Sequence, residues 1–308
     1  MHKREHVTAL RIDARAGLIV LACCAAWGFN QVAIKIANQG ISPMLQAGLR
    51  SAIAAVIVLA WAMLRGIPLF QRDGTLMAGI AAGLLFALEF LLMYVGLDYT
   101  TASRGVIFLY LAPFVVAVGA HVFVPGDRLT WAKTAGLLAA LAGLAVAMGE
   151  GVLAPGRPTL TGDLLTVGAA VAWGATTVLV RASALRFVST EKTLIYQLGV
   201  SAMVLPLASS LTGEPGIVDL SPHVLVAFGY TVVIVAVVSY LAWFWLVRTY
   251  PPTRLAAFTF LSPVFGVLAG LAVLGEEPSW SLGAALILIA VGIWLVNRES
   301  RSSTGASG

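Results

Sequence analysis

Ala25-Ala26-Trp27-Gly28, followed by Lys35, returns 146 residues later as Val171-Ala172-Trp173-Gly174, followed by Arg181. A second pair recurs at an offset of 150: Arg104 ahead of Leu111-Ala112-Pro113, and Arg254 ahead of Leu261-Ser262-Pro263. Matched landmarks in two long apolar halves are the signature of a membrane bundle built on an internal repeat, with a solute path between the halves.

Composition supports a membrane solvent. Of 308 residues, 59% are hydrophobic and 11% charged, where a soluble domain carries about 25% charged residues. The net charge of +5 does not indicate nucleic acid, because the basic residues are scattered singly between apolar runs. The two cysteines, Cys23 and Cys24, are adjacent inside one such run, which rules against a disulfide framework.

Apolar runs of membrane length predict an all-α integral membrane fold of ten transmembrane helices. They lie near 16–37, 44–64, 75–97, 103–124, 131–149, 161–184, 191–211, 223–247, 252–274 and 280–297. The domain reading is an N-terminal arm at 1–15, a first five-helix repeat at 16–149, a linker at 150–160, a second repeat at 161–297 and a polar, disordered tail at 298–308. Turn residues punctuate the short connections, among them Gly40-Ile41-Ser42-Pro43 and Gly213-Glu214-Pro215-Gly216. A cleaved signal peptide is the minor alternative for the first span, which is long and carries Asn30, Gln31 and Lys35.

With the N-terminus in the cytoplasm, fourteen of the 19 Lys and Arg fall on inside segments and only Arg104 and Arg157 outside. Lys35, Arg50 and Arg181 fall within spans. That bias predicts both termini inside. Five spans per half is odd, so the second half enters the membrane inverted relative to the first, an arrangement that supports alternating access.

The Trp-Gly of spans 1 and 6, the segment Tyr94–Ser103, the openings Leu111-Ala112-Pro113 and Leu261-Ser262-Pro263, and the acidic turns Gly126-Asp127 and Gly275-Glu276 resemble the drug/metabolite transporter superfamily, in particular its EamA-like members. The resemblance covers about residues 16–297. It implies a ten-span inner-membrane secondary transporter that exports a small organic metabolite, such as an amino acid or a toxic amphipathic compound. An importer or facilitator within the same class is the alternative. From another class, an intramembrane lipid-modifying enzyme is the rival, but the charged loops are too short and sparse to gather catalytic residues.

Candidate substrate residues follow from polarity at bilayer depth. Glu89 lies inside an otherwise apolar span, where a charge costs a few kcal/mol (about 2.5–3.5 for Asp). It is either a cavity carboxylate for a cationic group or a coupling proton, or a structural partner of Arg50. Arg50 is too deep to reach the interface easily, whereas Lys35 at its helix end is expected to snorkel. Trp27, Asn30 and Gln31 with Trp173, Thr176 and Thr177 place polar groups mid-span in two repeat-related helices. They line a cavity or bond between helices. Tyr94, Tyr110, Tyr240 and Trp243 suit an amphipathic solute or an interfacial belt. Pro113 and Pro263 are matched breaks, either hinges or static bends.

There is no GxxxxGK[ST], HExxH or GxSxG motif, so the chain reads as a non-enzyme. No cofactor or metal is expected. The expected partners are a small-molecule substrate and membrane lipid, with a proton as candidate coupling ion, no nucleic acid, and a monomeric or homodimeric state.

Overall fold

The computed structural model describes residues 14–124, 129–153, 159–240, 242–243, 246 and 261–298. Every regular element among them is helical: α1 (Ala14–Ala37), α2 (Pro43–Leu64), α3 (Leu76–Tyr99), α4 (Ala102–Leu109), α5 (Ala112–Phe123), α6 (Trp131–Leu153), α7 (Thr159–Ala182), a short 3-10 turn (Ala184–Phe187), α8 (Thr190–Thr212), α9 (Pro222–Gly229) running into a π-helical segment (Tyr230–Ser239), α10 (Leu261–Leu274) and α11 (Trp280–Arg298). Seven described helices, counting Ala102–Phe123 as one, are long and apolar enough to cross a membrane. Three shorter apolar stretches lie in α6, α10 and α11. The turns at 125–128 and 251–252, Arg254, the start of the ninth predicted span and the two terminal segments fall outside the described residues.

Pro113 explains the interruption between α4 and α5. It sits at the start of α5, and the chain turns at Tyr110–Leu111 instead of continuing α4. A proline cannot donate to the previous turn, so the helix restarts there. Pro206 instead lies inside α8. It is accommodated because Gly48 of α2 faces it: a Cβ on Gly48 would stand 2.5 Å from the proline ring.

Bare glycines set the other close contacts. Gly79 and Gly83 of α3 abut Tyr196 and Val200 of α8, and Gly266 of α10 abuts Val106 of α4. Close backbone approach is how helices gain contact area in lipid, where no hydrophobic force joins them. These glycines therefore serve the bundle's own packing. The principal helix pairs are α6 with α11, α3 with α7, α2 with α8, and α1 with α10. Each joins the first half of the chain to the second.

One end of the bundle is tied across the halves by polar groups. The Glu214 carboxylate accepts from the Met44 and Leu45 amides (3.1 and 3.2 Å), which open α2. The Glu276 carboxylate accepts from the Ala102 and Ser103 amides (2.6 and 3.1 Å) and from the Ser103 hydroxyl, which open α4. An anion is favoured at a helix N-terminus, where amides lack partners and the dipole is positive. Asp163, fully buried, accepts from Arg104 Nε (2.9 Å), from the Arg104 guanidinium terminus and from Thr100 Oγ1 (2.7 Å). The Ser42 amide donates to the Gly216 carbonyl at 2.8 Å, beside an isolated antiparallel bridge of Ile41 with Ile217. This is called the cap end below.

Lys35 belongs to the same end, and the expectation that it snorkels is corrected. Its ammonium donates to the Leu97 and Thr100 carbonyls (2.6 and 2.7 Å) and so caps the C-terminus of α3. At the opposite end, Lys192 donates to Asp73 and to the Gln71 carbonyl, both at 2.8 Å. Asp73 lies in the loop between α2 and α3. Its hydrogen bonds, first from Lys192 and then from Thr75, hold its pKa down at about 2.

Candidate functional site

Between the halves lies a cavity of about 690 Å³, walled by α1, α2, α3, the α4–α5 break, α7, α8 and the π-helical segment. Ten of the eleven substrate residues proposed from sequence line it: Trp27, Asn30, Gln31, Arg50, Glu89, Tyr110, Trp173, Thr177, Tyr240 and Trp243. Thr176 and Pro113 line it too. Tyr94 does not. It is fully buried behind the wall, packed edge-on to Phe90 with ring centroids 5.7 Å apart. Pro263 is likewise buried and outside the lining. The cavity reaches the end opposite the caps at Arg181, Thr190 and Thr193, called the mouth end.

The two Trp-Gly motifs do two jobs each. Trp27 donates from Nε1 to Ser239 Oγ at 2.8 Å and stands edge-to-face with Trp243, centroids 5.2 Å apart. Trp173 stands edge-to-face with Tyr110 at 6.2 Å. The glycine after each tryptophan lets its helix touch the proline-bearing helix of the other half. A Cβ on Gly28 would stand 2.5 Å from the Ser262 carbonyl oxygen of α10, and one on Gly174 would stand 2.5 Å from Val115 Cβ of α5. Sequence reading found the tryptophans as wall residues but gave the glycines no role. Their signal was available: they recur at the same offset.

Arg50 and Glu89 both face the cavity, and no ion pair joins them among the described residues. Arg50 is 5% exposed. Its Nε donates to the Thr231 carbonyl at 3.3 Å, Tyr240 hydrogen-bonds the guanidinium, and the charge lies 4.7 Å from the Phe90 ring centroid. Glu89 Oε2 is buried and accepts no hydrogen bond from the described protein. Thr176 and Thr177 do not bond between helices. Their hydroxyls donate to the Ala172 and Trp173 carbonyls of their own helix, at 2.8 and 3.1 Å.

A second cavity of about 610 Å³ lies across the α5–α7 seam, with an almost wholly apolar lining that includes Phe114, Val118, Leu141 and Val178. It offers no polar group to orient a ligand, so the cavity between the halves is the candidate site. Among the described residues no group of three His, Cys, Asp or Glu could hold a metal ion. Both cysteines are buried, and neither forms a disulfide.

Comparison with known proteins agrees with this architecture. The EamA-like transporter family matches twice, over residues 15–149 and 160–298. The uncharacterized transporter YvbV of Bacillus subtilis is 26% identical over 95% of each chain. The "Probable amino-acid metabolite efflux pump" of Salmonella typhimurium is 25% identical over 92% of this chain and 95% of its own. A solved crystal structure at 23% identity aligns with a TM-score of 0.66, covering 94% of this chain and 99% of that one, and bears on the fold alone. The doubled match accounts for the doubled Trp-Gly landmarks, and the chain belongs to the EamA-like transporter family.

Proposed function

We propose that this membrane transporter has ten spans in two inverted repeats and exports a small organic metabolite by alternating access. The observation that carries the reading is the cavity between the halves, lined from both and reaching the mouth end; cross-half bonds tie the cap end, and Lys192 with Asp73 also joins the halves at the mouth end. Helix pairing gives further support. Exchanging the halves carries α1 to α7, α2 to α8, α3 to α9 with its π-helical segment, α4–α5 to α10 and α6 to α11. Under that exchange the α2–α8 and α6–α11 pairs map onto themselves, α3–α7 maps onto α1 with α9 and its extension, and α1–α10 maps onto α7 with α4–α5. A bundle with this property can exchange the conformations of its halves and open at the other end.

The Lys/Arg bias puts both termini in the cytoplasm of a bacterial inner membrane, so the cap end faces outward and the mouth end inward. A reporter fused at Gly308 is expected to signal from the cytoplasm, and one inserted in the 150–160 linker from the periplasm. A periplasmic signal at Gly308 ends this orientation.

Relatives named for amino-acid metabolites make derivatives of amino acids the first compounds to assay. Cells overproducing the chain are expected to deplete at least one such compound internally and enrich it in the medium, against cells carrying an empty vector. The purified protein in liposomes should then move that compound. If the metabolite profile is unchanged and no flux is found in liposomes, the transport reading is wrong.

A further inference from the structure

We propose that the apolar cavity of about 610 Å³ between α6 and the α5–α7 seam holds one acyl chain of an anionic phospholipid, entering from the leaflet at the mouth end. Its floor is built of buried residues, among them Leu111, Phe114, Ala140 and Ala170. Its rim is built of exposed ones, Val118, Phe123, Leu141 and Val171. The rim makes this groove continuous with the surface that the spanning helices present to lipid. The groove exists because α6 packs along α11 and touches α5 and α7 only sparsely. Along α7 the lining runs from Val167 to Ala182, about 22 Å at 1.5 Å per residue. One leaflet's share of the hydrocarbon core is about 15 Å, so the groove can take the length of a lipid chain. It stops about two turns short of the start of α7 at the cap end, so its opening belongs to the mouth-end leaflet.

The chemistry of the lining selects the occupant. No polar side chain lines the groove. A trapped water needs about two to four polar partners, and a polar solute would find none. Left empty, the space forfeits the dispersion contacts of its walls. Hydrocarbon from the adjoining bilayer restores them without desolvating anything. Moving a chain from lipid into the groove carries no hydrophobic gain, so the end of the groove decides which lipid is preferred. There the lining finishes at Phe123 and Ala182. Exposed basic residues stand within four positions of those two in the chain: His121, Arg181 and Arg186. His121 Nδ1 accepts from the Leu129 amide at 3.2 Å, which leaves Nε2 as the N–H donor. The Arg186 guanidinium lies 4.5 Å from the ring centroid of Phe187, itself exposed. The described carboxylates of the mouth end, Asp73 and Glu191, lie in the α2–α3 loop and on α8, and neither element lines the groove. A phosphate headgroup therefore meets basic groups there. From their other side α5 and α7 wall the solute cavity, through Pro113, Trp173 and Thr177. The bound chain braces the back of that wall.

Photolabelling of the full-length chain in phosphatidylcholine nanodiscs tests this. A minor fraction of the lipid is phosphatidylglycerol with a diazirine on one acyl chain, and labelled residues are mapped by mass spectrometry. Label is expected on the groove lining of α5, α6 and α7 at about tenfold or more above exposed residues elsewhere on the perimeter, such as Val56 of α2 and Leu84 of α3. Unlabelled phosphatidylglycerol should compete, and extra phosphatidylcholine should not. Val118→Trp with Leu141→Trp fills the groove from its rim and should remove the label from Val178. Leu138→Trp with Leu164→Trp puts the same bulk on exposed sites outside the groove and should leave the label in place. His121→Ala with Arg186→Gln should weaken labelling by about fivefold or more, the size expected for basic side chains near anionic lipid. Label spread evenly around the perimeter would make this ordinary surrounding lipid and overturns the proposal. Equal labelling by a phosphatidylcholine probe overturns it too, as does label on Val178 that survives the two rim tryptophans in protein that melts like the parent. Crosslinking of Leu141→Cys to the same residue of a second chain in membranes would put another copy over the groove, and the lipid assignment would fall.

Discussion

Asp163→Ala is expected to destabilise the protein by about 3–5 kcal/mol, the cost of leaving a buried charge without its partner. Asp163 is fully buried and Arg104 is 4% exposed. The carboxylate takes two hydrogen bonds from Arg104 Nε, a third contact from the guanidinium terminus and one from Thr100. Removing it takes the carboxylate from a buried guanidinium that also lies against Phe108. The loss of a single neutral bond, as in Thr100→Val, should cost only about 1 kcal/mol. The double variant Arg104→Met with Asp163→Leu separates the charge from the fold. Replacing a buried pair by apolar side chains is often neutral or stabilising by about 1–4 kcal/mol, so stability should recover most of the way. Thermal and denaturant unfolding in detergent compare the parent, Asp163→Ala, Thr100→Val and the double variant. A single variant within about 1 kcal/mol of the parent, or a double variant as unstable as the single, would mean that the pair is solvated and carries little.

The pairs that hold the fold were harder to read than the helices. Hydropathy located the seven described helices of membrane length because each helix satisfies its own backbone and only its side-chain polarity must match lipid. Pro113 announced the break at Tyr110–Leu111 for the same local reason. Polar residues at bilayer depth led to the cavity, since burial of Asn30, Gln31, Arg50 and Glu89 in lipid is costly enough to require a reason. Tyr94 escaped that logic, because an amphipathic ring can be buried behind a wall as readily as in it. The acidic turns were visible, but what Glu214 and Glu276 cap was not. Their targets are backbone amides 170 and 174 residues away, and an amide leaves no mark in the sequence. Lys35 was misassigned on the same ground: its acceptors are the last carbonyls of a helix from elsewhere in the chain. The fit of Gly28 against Ser262 and of Gly48 against Pro206 depends on which helices meet, which periodicity alone does not specify.

Releasing both caps, with Glu214→Ala and Glu276→Ala together, is expected to turn the cavity from the mouth end toward the cap end. Each carboxylate bridges from the second half of the chain to a helix N-terminus in the first. On the alternating-access proposal these bonds break as the cap end opens. Once it opens, water can reach the freed amides, so their loss penalises the shut state and not the open one. Taking each multiply bonded carboxylate as one unit of about 1.5–3 kcal/mol, since such bonds are not additive, two caps contribute about 3–6 kcal/mol. Moving a 1:99 ratio to 99:1 takes about 5.5 kcal/mol. One cap alone should give a partial shift, and the pair should bring most of the population over. Glu276→Gln keeps an acceptor but loses the charge, so it should fall between the parent and Glu276→Ala. Thr177→Cys reports the change in a background with Cys23 and Cys24 replaced by alanine. In sealed vesicles an impermeant thiol reagent should label it from the mouth side in the parent and from the cap side in the double variant. Turnover should fall as well, because a transporter held open at either end cycles slowly. If labelling still comes only from the mouth side while thermal stability drops, Glu214 and Glu276 hold the fold and not the gate.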